Sequence, residues 1–173
     1  MALILSVKNK SPKWGQGCWL AENATLTGDV IMGNNCTVWF NAVVRGDVRE
    51  IRIGDNTNIQ DGAVIHCTYQ KSGTYIGSNV SIAHNAVVHG CTIEDNVLVG
   101  MGAIVMDNAV VKKGSVIAAG AVVLAGTVVD ENSIYGGIPA RKVKDTGTEM
   151  EELIKRTAAN YPMYASWYKS EGG

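Results

Sequence analysis

The chain has three histidines, His66, His84 and His89, and all of them fall within one window, HCTYQKSGTYIGSNVSIAHNAVVH, residues 66–89. Neutral imidazole is the commonest metal ligand in proteins. Three imidazoles plus water form the open tetrahedral arrangement of a catalytic zinc site, whereas a structural site closes with a fourth protein ligand. Cys67 follows His66 directly, but Cys18, Cys36, Cys67 and Cys91 contain no CxxC pair. These four cysteines read as reduced structural thiols of a cytoplasmic protein. Whether the histidines form one site or an exposed ladder depends on the elements that hold them.

Those elements are visible as a repeat. Aliphatic residues recur every six positions: Leu20, Leu26, Met32, Val38 and Val44; then Ile53, Ile59 and Ile65; then Ile76, Ile82 and Val88; then Ile93, Val99, Val105, Val111, Ile117, Val123 and Val129. That is eighteen starts broken by three departures from strict spacing. An amphipathic helix repeats near 3.6 and a hairpin strand near 2. A period of six, punctuated by Gly and Asn, is that of a hexapeptide β-helix. Three hexads complete one triangular coil, so eighteen starts predict six coils. Two departures are insertions, RGDVREIR (45–52) and HCTYQKSGTY (66–75), expected to project from corners as loops. Residues 1–144 are expected to form the β-helix. Residues 145–173 form a second unit, in which TEMEELIKRTAANYPMYASWYK (148–169) reads as a helix packed on its outside.

The repeat places the histidines. His66 lies one residue after the start Ile65 and His89 one residue after Val88, and those starts are one full coil apart. The two rings therefore stack on one face, roughly 5 Å apart, pointing outward. His84 lies two residues after Ile82, on the preceding face, and diverges. Packing three prisms about a threefold axis would bring His84 of one chain to His66 and His89 of another. The same arithmetic puts Arg45 one coil below His66 and Asp61 one coil below His84. Gln60 sits beside Asp61, and Asp47 opens the first insertion. These residues, the candidate catalytic set, either orient ligands from behind, or pair as arginine and aspartate across the subunit contact, or, for Arg45 and Asp47, act directly in catalysis, or form a salt bridge that only fixes the trimer.

Composition narrows the function classes. Fifteen basic against sixteen acidic residues give a net charge of −1. There is no basic excess to attract nucleic acid. The opening MALILSVKNKSPKW carries an apolar run too short for a signal peptide core or a membrane span. The expected setting is cytoplasmic, with neither nucleic acid nor membrane as partner.

The segments NAVVRGD (41–47), NIQDGAVIH (58–66), SIAHNAVVHGCTI (81–93) and GMGAIV (100–105) resemble the γ-class carbonic anhydrases over essentially the whole chain. The resemblance implies a left-handed parallel β-helix, all-β with a C-terminal α-helix, assembled as a homotrimer. It implies that His66 and His89 of one subunit and His84 of its neighbour hold Zn2+, or Fe2+ or Co2+. It implies reversible hydration of carbon dioxide to bicarbonate, with Arg45, Asp47, Gln60 and Asp61 at the family's interface and active-site positions. Well-defined members place an acid directly after the segment matching RGD and carry an acidic insertion loop. Here Val48 follows Asp47, and TYQKSGTY (68–75) holds no acid. Glu50, Tyr161 and Tyr164 are then the proton-shuttle candidates. GGIPARKV (136–143) resembles the closing segment of hexapeptide acyltransferases. An acyltransferase, a coenzyme A thioesterase and a non-catalytic metal-binding trimer are therefore the competing readings.

Overall fold

The structure, a computed structural model, describes residues 1–171. Short parallel strands stack into a three-sided solenoid, split between a twelve-stranded and an eight-stranded sheet. Each hexad supplies a two- or three-residue strand followed by a turn, as in Ser81–Ile82 and Leu98–Val99. The non-glycine residues that take left-handed φ are mostly Asn, such as Asn41 (58°) and Asn85 (58°). Asn tolerates that conformation better than other side chains do. Every aliphatic start from Leu26 to Val129 is buried, at most 5% exposed.

The inward residues form three columns in parallel register. One runs Ile4–Leu26–Val44–Ile65–Val88–Val105–Val123. A second runs from Trp14 through Met32 and Ile76 to Val129. The third runs from Leu20 through Ile59 and Ile82 to Tyr135. Each column has seven rungs, one more coil than the hexad count gives. The extra rungs are Ile4, Trp14 and Tyr135. They lie at the ends of the stack, where Ile4 (37%) and Trp14 (41%) are covered on one side only. Trp14 and Tyr135 keep the six-residue spacing to Leu20 and Val129 but are aromatic, so an aliphatic count passes over them, while Ile4 lies ten residues before Trp14.

The two insertions differ. Residues 45–52 do not project as a loop. They lie within the continuous strand Val43–Ile53, paired with Thr25–Met32. The pairing runs Gly28↔Gly46 and then Val30↔Ile51, so the extra residues are absorbed in a bulge. Such bulges re-aim side chains. A Cβ on Gly46 would lie 2.6 Å from the Asp29 carbonyl oxygen, so the two paired strands approach this closely at the bulge only with glycine there. The second insertion is a true loop, closed by an isolated bridge between Thr68 and Ser72.

The strand Arg141–Asp145 turns back antiparallel on Ser133–Gly136 and leads into helix α1, Thr148–Glu171. Ile154, Ala158 and Ala165 are the buried stripe of α1. The helix is held against the eight-stranded sheet by an aromatic cluster. Ring centroids are 5.3 Å apart for Trp39–Tyr161, 5.4 Å for Trp19–Tyr168 and 5.5 Å for Phe40–Tyr168. No described helix is long and apolar enough to cross a membrane.

Candidate metal centre

His66 and His89 are direct partners in neighbouring parallel strands, Val64–His66 and Val87–His89. Their ring centroids are 5.1 Å apart, and His66 Nδ1 lies 3.1 Å from His89 Nε2. The other nitrogen of each ring meets a carboxylate. His66 Nε2 is 3.1 Å from Asp47 Oδ1, and His89 Nδ1 is 3.1 Å from Asp107 Oδ1. Asp47 is in turn held by Arg45 Nη1 at 2.6 Å. The line Arg45–Asp47–His66–His89–Asp107 thus crosses the face with two imidazole nitrogens turned towards each other at its centre.

His84 lies elsewhere, as its offset in the hexad predicts. It sits one coil above Asp61, and its Nδ1 is 2.8 Å from Asp61 Oδ2. Both side chains are about two-fifths exposed. They border a cavity of about 260 Å3 lined also by Trp39, Tyr161, Tyr164 and Trp167. The two tyrosines named from sequence as shuttle candidates therefore stand beside His84 of their own chain. Gln60 is buried, and its Nε2 donates to Asn58 Oδ1 along its own strand. Among the described residues, no group of three His, Cys, Asp or Glu side chains in one chain is arranged to hold a metal.

The electrostatics set protonation states. Burial lowers the His66 imidazole below its ordinary value, against Asp47, with Arg45 and His89 adding to the lowering. His66 is therefore neutral near pH 7, the form in which imidazole binds a metal. Burial alone would raise Asp47, but hydrogen bonds from Arg45 and His66 outweigh it and keep the carboxyl below the usual range. Asp107 behaves alike: hydrogen bonds from Ser72, Thr68 and His89 overcome its burial.

The sequence reading missed Asp107. Its signal was present, because Asp107 lies two residues after Val105, which pairs with Val88 beneath His89. The hidden part was the loop. Thr68 Oγ1 donates to Asp107 Oδ1 at 2.9 Å and Ser72 Oγ to the same oxygen at 2.9 Å. Gly90 leaves the space, since a Cβ there would sit 1.9 Å from Asp107 Oδ1. The acid-free insertion thus anchors the carboxylate that backs His89.

The chain is similar to several known proteins over most of its length. The family model for the bacterial transferase hexapeptide (six repeats) matches residues 15–46 and 90–125. A Methanocaldococcus jannaschii protein provisionally named a carbonic anhydrase is 53% identical over 82% of this chain and 89% of its own length. γ-Carbonic anhydrase 2 of Arabidopsis thaliana mitochondria is 38% identical over 97% of the chain.

The chain belongs to the γ-class carbonic anhydrase-like family.

It spans 62% of the length of the Arabidopsis relative. A Bacillus cereus crystal structure provisionally named an acetyltransferase superposes with a TM-score of 0.93 at 34% identity, covering 98% of both chains. The solenoid is thus the left-handed β-helix of the hexapeptide proteins. One fold carries both names, so chemistry must be argued from the site.

Within this family member, Glu50 is a poor proton relay. Arg49 grips it through Nε and Nη2, each at 3.0 Å, and the Tyr75 hydroxyl donates to Oε1. Those bonds, Arg49 first, bring its carboxyl down to about 2. A relay works best with a pKa near the working pH. Glu50→Gln is expected to cost any proton-dependent turnover at this site far less than the ~10²-fold loss that removing a working relay causes. The same variant reports on stability. Glu50's contribution is full above its ordinary value of 4.5 and is lost as pH falls towards about 2. Acid titration of Glu50→Gln by urea unfolding should therefore show a shallower loss of stability through that window. An unchanged slope would contradict the lowered carboxyl. Tyr161, pushed up to about 12 by burial and then by Asp61 and Tyr164, stays protonated at neutral pH.

Proposed function

We propose that the protein is a metal-dependent enzyme for the reversible hydration of carbon dioxide, acting as a homotrimer whose sites lie between subunits. The observation that carries this reading is the pairing of ring nitrogens. Two nitrogens bound at about 2.0–2.1 Å to one tetrahedral Zn2+ are separated by roughly 3.3 Å. His66 Nδ1 and His89 Nε2 stand at 3.1 Å. Both opposite nitrogens are backed by carboxylates, as metal-binding histidines usually are. His84 fits as the third donor, because Asp61 takes Nδ1 and leaves Nε2 for a ligand. Since His84 stands apart from the pair, its partners in such a site are His66 and His89 of a second copy.

Zn2+ held by three neutral imidazoles, or Fe2+ or Co2+ in its place, would lower the pKa of a coordinated water towards neutrality, which is the chemistry carbon dioxide hydration requires. The chain's own groups prepare the site. Asp47 and Asp107 accept from the outer nitrogens of His66 and His89, fixing tautomer and ring orientation. Arg45 keeps Asp47 ionised. Gln60, buried and bonded to Asn58, acts as a positioning residue behind Asp61. Four free thiols fit the reducing, cytoplasmic setting expected from sequence.

The competing acyltransferase reading draws on the transferase names of the family model and of the Bacillus cereus structure. Metal content and stopped-flow carbon dioxide hydration, on wild type and Asp107→Asn prepared without chelator, decide between them. The expected result is one metal per histidine set with turnover in the wild type. The variant should bind metal about 10–100-fold more weakly with its fold intact. Metal without turnover would overturn the hydratase and leave thioester hydrolysis or metal binding. Metal-free protein that transfers acetyl groups from acetyl-coenzyme A would establish the acyltransferase.

A further inference from the structure

Two cysteines far from the histidines stack in the first two rungs of the helix-bearing face. The strands Trp19–Leu20 and Thr37–Val38 pair in parallel with Trp19 opposite Thr37, which places Cys18 opposite Cys36. The Trp19 amide donates to the Cys36 carbonyl at 3.0 Å, and the Cys36 amide donates to Cys18 Sγ at 3.3 Å. Neighbouring strands lie roughly 4.8 Å apart. That is inside the ~4.4–6.8 Å Cα separation a disulfide spans.

We propose that Cys18 and Cys36 are a thiol pair that hydrogen peroxide closes into a disulfide joining these two rungs. Cys18 is the attacking sulfur. It is partly exposed, whereas Cys36 is buried. Contact with the Cys36 side chain pulls Cys18 below the ordinary thiol range, against burial, and the Cys36 amide and the charge of Lys169 add to the lowering. The thiol protons themselves are turned to backbone carbonyls, Cys18 Sγ to Gly33 at 3.2 Å and Cys36 Sγ to Gly54 at 3.1 Å. Cys36 shifts the other way, raised by the same contact and by burial. It stays a thiol until its neighbour is oxidised. In the first step the Cys18 thiolate forms an S–O bond as the peroxide O–O bond breaks, giving a sulfenic acid and hydroxide. In the second, Cys36 sulfur attacks the sulfenic sulfur, the S–O bond breaks and water leaves with the Cys36 proton. Two thiols and one peroxide give one disulfide and two waters.

The other two cysteines do not share this arrangement. Cys67 is raised, chiefly by burial, and its thiol points to Thr74 Oγ1 and the Glu50 carbonyl. Cys91 is pushed up to about 12 by burial. Selectivity for the first pair therefore follows from exposure and thiolate character.

The test is peroxide treatment of the full native chain, blocking with N-ethylmaleimide, and peptide mass mapping. The expected product is a Cys18–Cys36 peptide lighter by two hydrogens, with Cys67 and Cys91 recovered as thiols after unfolding. In Cys36→Ser the crosslink should vanish while dimedone traps a sulfenic acid on Cys18. In Cys18→Ser both signals should vanish. Iodoacetamide should label Cys18 at least about 10-fold faster than Cys67 or Cys91. Crosslinks between Cys18 of two chains, or recovery of unmodified Cys18 and Cys36 from wild type, would overturn the proposal. None of these readouts depends on metal or on turnover, so they stand apart from the histidine site.

Discussion

Mixing equal amounts of His84→Ala and His66→Ala chains, unfolding them and reassembling the trimer should restore about a quarter of the metal sites, because each site draws one residue set from each of two neighbours in a closed ring. Each variant alone should bind almost no metal and turn over no carbon dioxide. His66→Ala removes one of two facing nitrogens from every site, and His84→Ala removes the third donor from every site. In the mixture, a site is complete wherever a His84→Ala chain, with His66 and His89 intact, abuts a His66→Ala chain with His84 intact. Metal analysis and stopped-flow turnover on the mixture read the result. The expectation rests on the separation between the pair at 3.1 Å and the Asp61-bound His84. Recovery of no sites from a mixture that forms trimers would place all three ligands in one chain. Parent variants that keep their metal would remove His66 and His84 from the ligand set.

Ile65→Ala should lower folding stability by about 2–5 kcal/mol. Ile65 is fully buried in the column between Val44 and Val88, and the next residue in its strand is His66. The solenoid core is one residue wide at each rung, so the rungs above and below can collapse onto the vacated volume only by giving up their own hydrogen bonds. The cost should therefore fall at the upper part of the range. Val128→Ala is the control. Val128 precedes a core rung but points outward and is 51% exposed, so its truncation should change stability within about 0.5 kcal/mol. Urea unfolding at one fixed protein concentration measures both, since association adds to apparent stability. Equal losses at the two positions would contradict the inward and outward assignment of the hexad.

Much of this was legible in the chain because a hexapeptide solenoid maps sequence position onto space almost linearly. A residue's offset from its aliphatic start gives its height and face, which is why His66 and His89 could be stacked and Arg45 and Asp61 placed one coil below. The reading failed where the period did. At the first coil Ile4 falls outside the six-residue spacing, while Trp14 keeps it but is not aliphatic. The first insertion looked like a loop but is a bulged strand, because Arg45–Gly46 and Ile51–Ile53 pair with Thr25–Met32 on either side of the unpaired residues 47–50, which spacing alone does not reveal. Asp107 was readable by offset, yet its role depends on Thr68 and Ser72, whose reach is set by how one loop folds back.

The amino-acid sequence by itself determined the solenoid, its three inward columns and the stacking of two imidazoles, since all follow from an aliphatic period of six and the fixed spacing of parallel strands. Only the tertiary structure decided which atoms meet. It turned the two imidazole nitrogens towards each other and set Asp47 and Asp107 behind them. It withdrew Glu50 into the grip of Arg49 and Tyr75 and brought Cys18 beside Cys36. Those outcomes depend on side-chain direction and on close approaches such as that at Gly90, where a Cβ would sit 1.9 Å from Asp107 Oδ1, and no periodicity in the chain encodes distances that small.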